Sequence, residues 1–317
     1  MSVYTRVARH ELEMLLANYA IGALVQYRGI SDGVINSNFF VDTSAGHYVL
    51  TLFETLDSAA VSAYLALMDF FAAQAMPVPM PVSNRYGAVV SELNGKPAVL
   101  VQRLPGASVV TPTISQCENL GTVLGSLHKL GRGYPHQLPD SHGRRWQRAT
   151  AAQLLPHLPP VDAELIQQEL EFQNLYRLSD LPCGIVHADL FRDNVLYQSD
   201  EVSGVLDWYS ACTKALLYDV AVVANDWCCD GQGRLQAELT LALLQAYHVQ
   251  RPLTAIERGA WPVLLRAAAL RFWLSRLQAK QFPRSGETIH YKEPAHFNQI
   301  LQDRITRHDA FYALWVA

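Results

Sequence analysis

The first hundred residues alternate short hydrophobic and β-branched runs with turn-forming residues. Between residues 24 and 54 the runs LVQYRGI, NFFVD and HYVLTLFE are separated by SDGVINS and TSAG, which predicts three antiparallel strands joined by two turns. Residues 57–74 carry apolar residues at helical spacing behind Asp57, a good helix N-cap. Two further strand candidates, GAVVSEL and KPAVLVQRL, are joined by Asn-Gly, a hairpin signal. Five strands and one helix predict a small α/β lobe.

Beyond residue 104 the hydrophobic period changes from that of strands to that of helices. Five segments have helical spacing: 115–130, 145–155, 162–178, 235–248 and 255–278. The small residues of LGTVLGSLHKL in the first segment predict a close packing contact, and GRGYPHQLPDSHGR predicts a surface loop. We therefore predict an α+β fold with two lobes, residues 1–104 and a larger, mainly helical part at 105–317.

Composition limits the possible partners. The 317 residues are 50% hydrophobic and 17% charged, with a formal net charge of −4 and no cluster of Lys or Arg, so no nucleic-acid or anionic-lipid surface is indicated. The five cysteines form no CxxC pair, which argues against a disulfide framework or a zinc site and favours a reducing cytoplasm. Charged residues interrupt the apolar stretches, so a membrane span is not expected. A small-molecule substrate is the expected partner.

Residues 184–211, GIVHADLFRDNVLYQSDEVSGVLDWYSA, concentrate groups suited to phosphoryl transfer. Two short apolar strands flank a loop with His187, Asp189 and Asn194, and Asp207 ends the second strand. Phosphoryl transfer needs a carboxylate that accepts the proton of the attacking hydroxyl, and oxygen ligands that hold magnesium on the phosphates. Asp189 is the candidate base, and Asn194 and Asp207 are the candidate magnesium ligands. The alternative is a polar turn that caps backbone groups. We expect His187 to order the loop rather than to transfer protons.

These residues resemble the aminoglycoside phosphotransferase and choline kinase-like branch of the protein kinase fold. The catalytic loop of that family reads HxDxxxxN, and residues 187–194 match its spacing in full. Asp207-Trp208 resembles the family's metal-binding aspartate and the aromatic that follows it. The later YDVA resembles a YDxA segment, which by analogy makes Asp219 structural. The resemblance implies a protein kinase-like two-lobed fold that uses ATP and Mg²⁺.

The resemblance extends to the N-terminal lobe. GISDGVINSNFFV resembles the nucleotide-covering loop, YVLTLFE the third strand, and VQRLPG the hinge that contacts adenine. It implies nucleotide contacts at Gly29, Ser31, Gly33, Asn36, Asn38, Gln102 and Leu104. For the loop residues, a simple hairpin turn is the alternative.

The third strand departs from the family. Thr51 stands where the family carries a lysine that pairs with the α- and β-phosphates, and no lysine precedes Lys96. The following helix also lacks a central glutamate to hold such a lysine. Phosphate charge would then be met by backbone N–H groups of residues 31–38, by Arg28 or by the metal.

Within this branch, YRGISDGVINSNFFV, HADLFRDNVL and ALRFWLSRL are most similar to the bacterial homoserine kinases built on this fold. That resemblance implies phosphorylation of L-homoserine to O-phospho-L-homoserine, an intermediate of threonine synthesis. The carboxylate of homoserine favours a guanidinium as its partner, for which Arg271 is the candidate, and the ammonium of homoserine favours an acid, for which Asp32 is the candidate. A buried ion pair is the alternative role for Arg271. Because Arg271 and Arg276 are five positions apart on a predicted helix, at most one of them faces a site. Tyr209 is a candidate for the acceptor pocket, with core packing as its alternative.

Three other functions stay open. A kinase for choline, ethanolamine, methylthioribose or hydroxylysine would share the catalytic residues and differ in its acceptor pocket. Thr51 motivates a pseudokinase that binds nucleotide without turnover, although the joint presence of Asp189, Asn194 and Asp207 argues against it. An antibiotic-modifying phosphotransferase is less expected, because polycationic acceptors usually meet an acidic cleft. Oligomeric state and feedback regulation are not indicated by the sequence.

Overall fold

The computed structural model describes residues 5–30, 36–283 and 293–316. They divide into two compact units: the first ends at Pro105, and the second comprises the described residues from Gly106 onward. Within these ranges, no helix combines the length and the hydropathy that a bilayer span requires.

Within its described residues, the first unit forms the predicted five-stranded antiparallel sheet and the predicted helix after the third strand, together with a second helix near the N-terminus. Its elements are α1 (Arg9–Leu16), β1 (Leu24–Gly29), β2 (Ser37–Thr43), β3 (Gly46–Leu52), α2 (Ser58–Ala72), β4 (Ser91–Leu93) and β5 (Lys96–Gln102), and the strand order is β1-β2-β3-β5-β4. Asn94 and Gly95 have φ values of 54° and 72°, as a two-residue type I′ hairpin turn requires. The side chain of Asp57 caps α2 by accepting a hydrogen bond from the Ala60 N–H at 2.8 Å.

The two faces of this sheet have different surroundings. Leu50 on β3 and Leu100 on β5 are fully buried in a core shared with α1. Asn38 on β2 and Thr51 on β3 lie directly opposite each other. Because successive side chains on a strand point to opposite faces, this pair belongs to the face turned away from α1.

The second unit is mainly helical in the part that the structure describes, with two small sheets of two strands each. Its helices are α3 (Ile114–Gly131), α4 (Arg144–Leu154), α5 (Pro160–Asn174), α6 (Leu217–Trp227), α7 (Ala237–Gln250), α8 (Ala255–Gln281) and α9 (Pro294–Thr306). β6 (Cys183–Val186) pairs with β9 (Cys212–Ala215), and β7 (Val195–Gln198) pairs with β8 (Glu201–Val205). Short 3₁₀ turns lie at Leu155–His157, Arg192–Asn194, Trp208–Ser210 and His308–Tyr312.

Some elements differ from the sequence prediction. The strand predicted at residues 87–93 is shortened to Ser91–Leu93, because the preceding residues form a turn in which the Asn84 side chain accepts hydrogen bonds from the N–H groups of Tyr86 and Ala88. Helices α6 and α9 were not predicted. Nearly every residue of α6 is buried, so its sequence lacks the polar face that marks an amphipathic helix.

Helix α3 packs closely on α7 through two glycines. A Cβ on Gly121 would overlap the carbonyl oxygen of Leu243, and a Cβ on Gly125 would lie 2.7 Å from the Cβ of Gln250. The prediction of a packing contact at these small residues is confirmed. The close approach also places a buried histidine of α3 beside the catalytic loop, as described below.

Candidate active site

The candidate catalytic loop connects β6 to β7 in the second unit. It begins with a turn at Ala188, whose φ of 64° lies in the left-handed region. The carboxylate of Asp219 accepts hydrogen bonds from the backbone N–H groups of His187 at 2.6 Å and Ala188 at 2.7 Å. Asp219 is fully buried in the first turn of α6. These two hydrogen bonds to the loop backbone hold the turn in its left-handed conformation.

The charge of Asp219 is stabilised by its neighbours. Burial alone would raise the pKa of Asp219, but the hydrogen bonds from His128 Nε2 at 3.2 Å and from the backbone N–H of His187 hold the pKa below its ordinary value. The carboxylate is ionised at neutral pH and is a strong hydrogen-bond acceptor.

The His187 ring links the two ends of the site. It is 2% exposed, with Nδ1 3.3 Å from the backbone nitrogen of Asp189 and Nε2 2.7 Å from the carbonyl oxygen of Leu206. Since Nδ1 accepts the Asp189 N–H, Nε2 carries the proton and donates to Leu206. Burial lowers the pKa of His187, against the opposing effect of Asp219. The ring is neutral at neutral pH and acts as a fixed connection.

Asn194 fixes the backbone of the candidate base. Its side-chain nitrogen donates to the carbonyl oxygen of Asp189 at 2.8 Å, and the same oxygen accepts the N–H of Phe191 at 2.9 Å. Because the nitrogen of the Asn194 amide is engaged, its Oδ1 is the atom available to a cation. The Asp189 side chain is half-buried.

Asp207 follows β8 in a left-handed conformation, with φ 58° and ψ 60°. The N–H of the preceding Leu206 donates to the carbonyl oxygen of Asn194 at 2.8 Å, which ties the two candidate metal ligands together through the backbone. Asp207 retains exposed surface. The protein atoms packed around its carboxylate nevertheless desolvate it and raise its pKa to about 7, and the negative charges of Asp189 and Asp193 add to the shift. These carboxylates repel one another, and a bound cation would relieve that repulsion.

The donor set fits a magnesium ion bound together with phosphates. Asn194 and Asp207 offer an amide oxygen and a carboxylate, which hard cations prefer. Over residues 5–30, 36–283 and 293–316, no three His, Cys, Asp or Glu side chains form a metal-binding cluster. An ion at this position would complete its coordination with phosphate oxygens and water, which is the usual state of Mg²⁺ in kinases.

Several predicted nucleotide contacts lie at the β1 and β2 ends of the first unit. Gly29 ends β1, Asn36 precedes β2, and Asn38 lies on β2. The Oδ1 atom of Asn36 accepts the Glu54 N–H at 3.4 Å, and the Oδ1 atom of Asn38 accepts the Thr51 hydroxyl at 2.7 Å. Three predicted site residues lie outside the described residues: Ser31, Asp32 and Gly33.

The predicted adenine contacts lie at the end of β5. Gln102 is the last residue of the strand, its side chain is exposed, and its N–H donates to the Met80 carbonyl oxygen at 2.9 Å. Leu104 is half-buried two residues further on.

Lys96 does not occupy the place of the missing third-strand lysine. It forms an ion pair with Glu54, whose carboxylate also accepts the hydroxyl groups of Ser37 at 2.7 Å and Thr5 at 2.9 Å. Lys96 shares the strand face of β5 that packs toward α1, whereas Thr51 is on the opposite face. The lysine is therefore engaged by Glu54 and lies on the face of the sheet opposite Thr51.

Two arginines bring positive charge to the Thr51 face. The guanidinium carbons of Arg28 and Arg103 lie 4.9 and 4.2 Å from the ring centroid of Phe40, and Phe40 shares the face of Asn38 on β2. Arg28 was a candidate from the sequence. Arg103 was missed, although the period of two along β5 places it on the same face.

The acceptor candidates lie in the second unit. Arg271 on α8 is 5% exposed, and its Nη1 lies 3.4 Å from Oδ1 of Asp189. Arg276 on the same helix donates instead to the carbonyl oxygen of Glu293 at 3.3 Å. Tyr209 lies in the 3₁₀ turn after β8, where burial raises its pKa.

A further polar group near Arg271 was missed by the sequence analysis. Lys214 on β9 pairs with Asp140 at 2.8 Å, and Asp140 also accepts the N–H of His142 at 3.1 Å. Burial lowers the pKa of His142 to about 3, and the charge of Arg271 adds to the effect. These residues carry no recognisable motif, since Asp140 and His142 belong to the segment predicted only as a surface loop.

Comparison with known proteins adds independent observations. A model of the phosphotransferase enzyme family matches residues 26–254. The homoserine kinases of Methylobacillus flagellatus and Methylobacillus glycogenes are 43% and 41% identical over 316 residues, covering 100% of this chain and 99% of each relative. The structure of an amicoumacin kinase in complex with AMP-PNP, Ca²⁺ and its ligand has a TM-score of 0.69 at 15% identity, covering 96% of this chain and 94% of that one. The predicted protein kinase-like α+β fold is confirmed.

Proposed function

Because the chain belongs to the phosphotransferase enzyme family, we propose that it transfers the γ-phosphoryl group of ATP to the side-chain hydroxyl of L-homoserine. The product is O-phospho-L-homoserine. The observation that carries this proposal is the similarity to homoserine kinases along the whole chain. The placement of Asp189 and Asn194 on one loop, to which the residue before Asp207 is hydrogen-bonded through the backbone, supports the same chemistry.

Asp189 would orient the hydroxyl of homoserine and accept its proton as the oxygen attacks the phosphorus. Its backbone is held by Asn194, and the turn before it is held by Asp219. Fixed positioning of this kind is the main contribution a protein makes to phosphoryl transfer. The Arg271 guanidinium lies 3.4 Å from the Asp189 carboxylate.

Asn194 and Asp207 would hold Mg²⁺ through the Asn194 Oδ1 and the Asp207 carboxylate. The bound ion would offset negative charge on the transferring phosphoryl group. The electrostatic support is the proximity of Asp189 and Asp193, whose negative charges add to the effect of desolvation in raising the pKa of Asp207.

The first unit would form the nucleotide-binding lobe, residues 1–104, and the second the catalytic and acceptor-binding lobe, residues 105–317. The proposed phosphate contacts are Gly29, Ser31, Gly33, Asn36 and Asn38, and the proposed adenine contacts are Gln102 and Leu104. In place of the lysine, the Asn38–Thr51 pair offers hydrogen bonds, and Arg28 and Arg103 offer positive charge on the same sheet face. Asp32 and Tyr209 stay candidates for the acceptor amine and pocket.

A substrate panel tests the proposal. ADP release from Mg-ATP would be measured with L-homoserine, D-homoserine, L-serine, choline, ethanolamine, methylthioribose, hydroxylysine and kanamycin. We expect acceptor-dependent release with L-homoserine. Preference for another acceptor would keep the phosphotransferase and discard homoserine. Nucleotide binding without release for any acceptor would favour the pseudokinase.

Replacing Asp189 with asparagine tests the proposed base. Turnover with L-homoserine should fall by about 10²- to 10⁴-fold, the usual cost of losing a positioned general base, while nucleotide affinity stays close to that of the wild type. Asp193→Asn is a matched control, since Asp193 is an exposed carboxylate of the same loop, and its effect should stay below about tenfold. Near-normal turnover of the Asp189→Asn variant would remove Asp189 from the mechanism.

A further inference from the structure

The Arg271 guanidinium has fewer partners than its burial requires. The side chain is only 6% exposed, and its single hydrogen bond to a described residue runs from Nη1 to Asp189 at 3.4 Å. Charge-assisted hydrogen bonds are usually about 2.7–2.9 Å long. The Nε atom is buried and has no hydrogen-bond partner. The centroid of the Phe272 ring lies 3.8 Å from Cζ, but an aromatic ring is not a conventional hydrogen-bond acceptor. Most of the five N–H donors of this cation are therefore unused.

The described groups around Arg271 do not supply a second anion. Its charge acts on His142 and Tyr218, which places both near it. His142 is neutral at neutral pH because burial lowers its pKa to about 3, and burial raises the pKa of the Tyr218 hydroxyl. The nearby Asp140 is already paired with Lys214 at 2.8 Å. An anion from outside the protein would complete the contacts of Arg271.

We propose that Arg271 binds the carboxylate of the acceptor, and that this contact selects homoserine against amino alcohols that lack a carboxylate. The inference rests on the proposed function, because it assigns a second part of the same acceptor. A short carbon chain separates the hydroxyl and carboxylate of homoserine, so an acceptor whose hydroxyl meets Asp189 can present its carboxylate to the adjacent guanidinium. A guanidinium suits this role because its planar fork binds a carboxylate through two parallel hydrogen bonds.

The test compares L-homoserine with 3-amino-1-propanol, which is homoserine without its carboxylate. In the wild type, loss of the carboxylate should lower kcat/KM by about 10- to 100-fold, the net worth of hydrogen bonds to a charged group. In Arg271→Met, which is uncharged and similar in length, the two acceptors should have kcat/KM values within about threefold of each other. Arg271→Lys keeps the charge but loses the fork, and its ratio should lie between these two.

The ratio of the two kcat/KM values separates binding from positioning. If Arg271 only holds Asp189 in place, its replacement lowers kcat/KM for both acceptors by the same factor, and an unchanged ratio would overturn the proposal. Arg276→Met is the matched control on the same helix and should keep the wild-type ratio. Thermal unfolding and nucleotide binding check the fold of each variant. If Arg271→Met does not fold, the ratio measured for Arg271→Lys tests the proposal instead.

The two proposals fail in different ways. A wild-type protein that does not phosphorylate L-homoserine contradicts the proposed function. A wild-type protein that does so, with a ratio that replacement of Arg271 leaves unchanged, contradicts only the assignment of Arg271.

Discussion

Replacement of Asp219 by asparagine would keep the shape of the side chain but remove its charge and one of its two acceptor oxygens. The native carboxylate is fully buried and accepts the backbone N–H groups of His187 and Ala188, with His128 Nε2 as a third donor. Asparagine would turn an N–H group toward one of these donors. At least one buried donor would then lose its acceptor.

The expected cost follows from that count. A buried donor without a partner costs about 1–3 kcal/mol, and the remaining hydrogen bonds lose their charge assistance, so we expect a loss of about 3 kcal/mol in the free energy of unfolding. The turn at Ala188 has a φ of 64°, a conformation that costs an L-residue about 1–2 kcal/mol. Without its support the turn should relax and displace Asp189. Turnover should fall by about 10²-fold, the effect of a displacement near 1 Å.

Urea unfolding at pH 7 and steady-state turnover measure these two effects. Asp230→Asn is the matched control, because Asp230 also accepts two backbone N–H groups, those of Gln232 and Arg234 at 2.9 Å, but its side chain is 30% exposed. Water can replace the lost acceptor there, so the cost should stay below about 1 kcal/mol. Equal losses in the two variants would refute the argument from burial. A destabilised Asp219→Asn variant with normal turnover would show that the position of Asp189 does not depend on Asp219.

Two further predictions concern packing and pH. Gly121→Ala should destabilise the protein by about 1–3 kcal/mol because its Cβ would overlap the Leu243 carbonyl oxygen. Gly259→Ala, whose Cβ meets open space on α8, should stabilise the protein by about 0.5–1 kcal/mol. Thermal unfolding measures both variants, and an unchanged stability of Gly121→Ala would contradict the close contact. His142 has a pKa of about 3 in the folded protein, against an ordinary value of 6.5, so the unfolded state binds more protons between these values and stability should decrease as the pH falls from about 6.5 toward 3. His142→Gln should make this dependence shallower, as urea midpoints at pH 7 and pH 5 would show, and an equally steep dependence would contradict the assignment.

Local signals in the sequence predicted the elements that depend on local chemistry. The Asp57 cap marks the start of α2, and Asn94-Gly95 marks the turn between β4 and β5, because both act within a few residues. Helix α6 gives no such signal, since it is buried nearly all round. The pairing of β6 with β9 joins Val186 to Cys212, and no periodicity in either strand specifies that partner.

The same distinction applies to the site. Asp189 and Asn194 lie within one short motif, so their spacing alone could identify them. The contact of Asp189 with Arg271 spans 82 positions in the sequence, and only the chemistry of the expected acceptor made Arg271 a candidate. The pairing of Asp140 with Lys214 spans 74 positions and has no local signal at either end.

The absence of the third-strand lysine has a physical explanation in the first unit. Thr51 is 6% exposed, and its hydroxyl donates to Asn38 at 2.7 Å, so the position is satisfied by a neutral hydrogen bond. A buried ammonium there would need an acidic partner to offset its desolvation, and the glutamate nearest in sequence, Glu54, is engaged by Lys96 on the other face. Arginines at exposed positions avoid this requirement because they stay hydrated until a phosphate binds. In the proposed nucleotide site, the neutral Asn38–Thr51 pair and the positive charges of Arg28 and Arg103 around Phe40 would therefore take the place of the lysine.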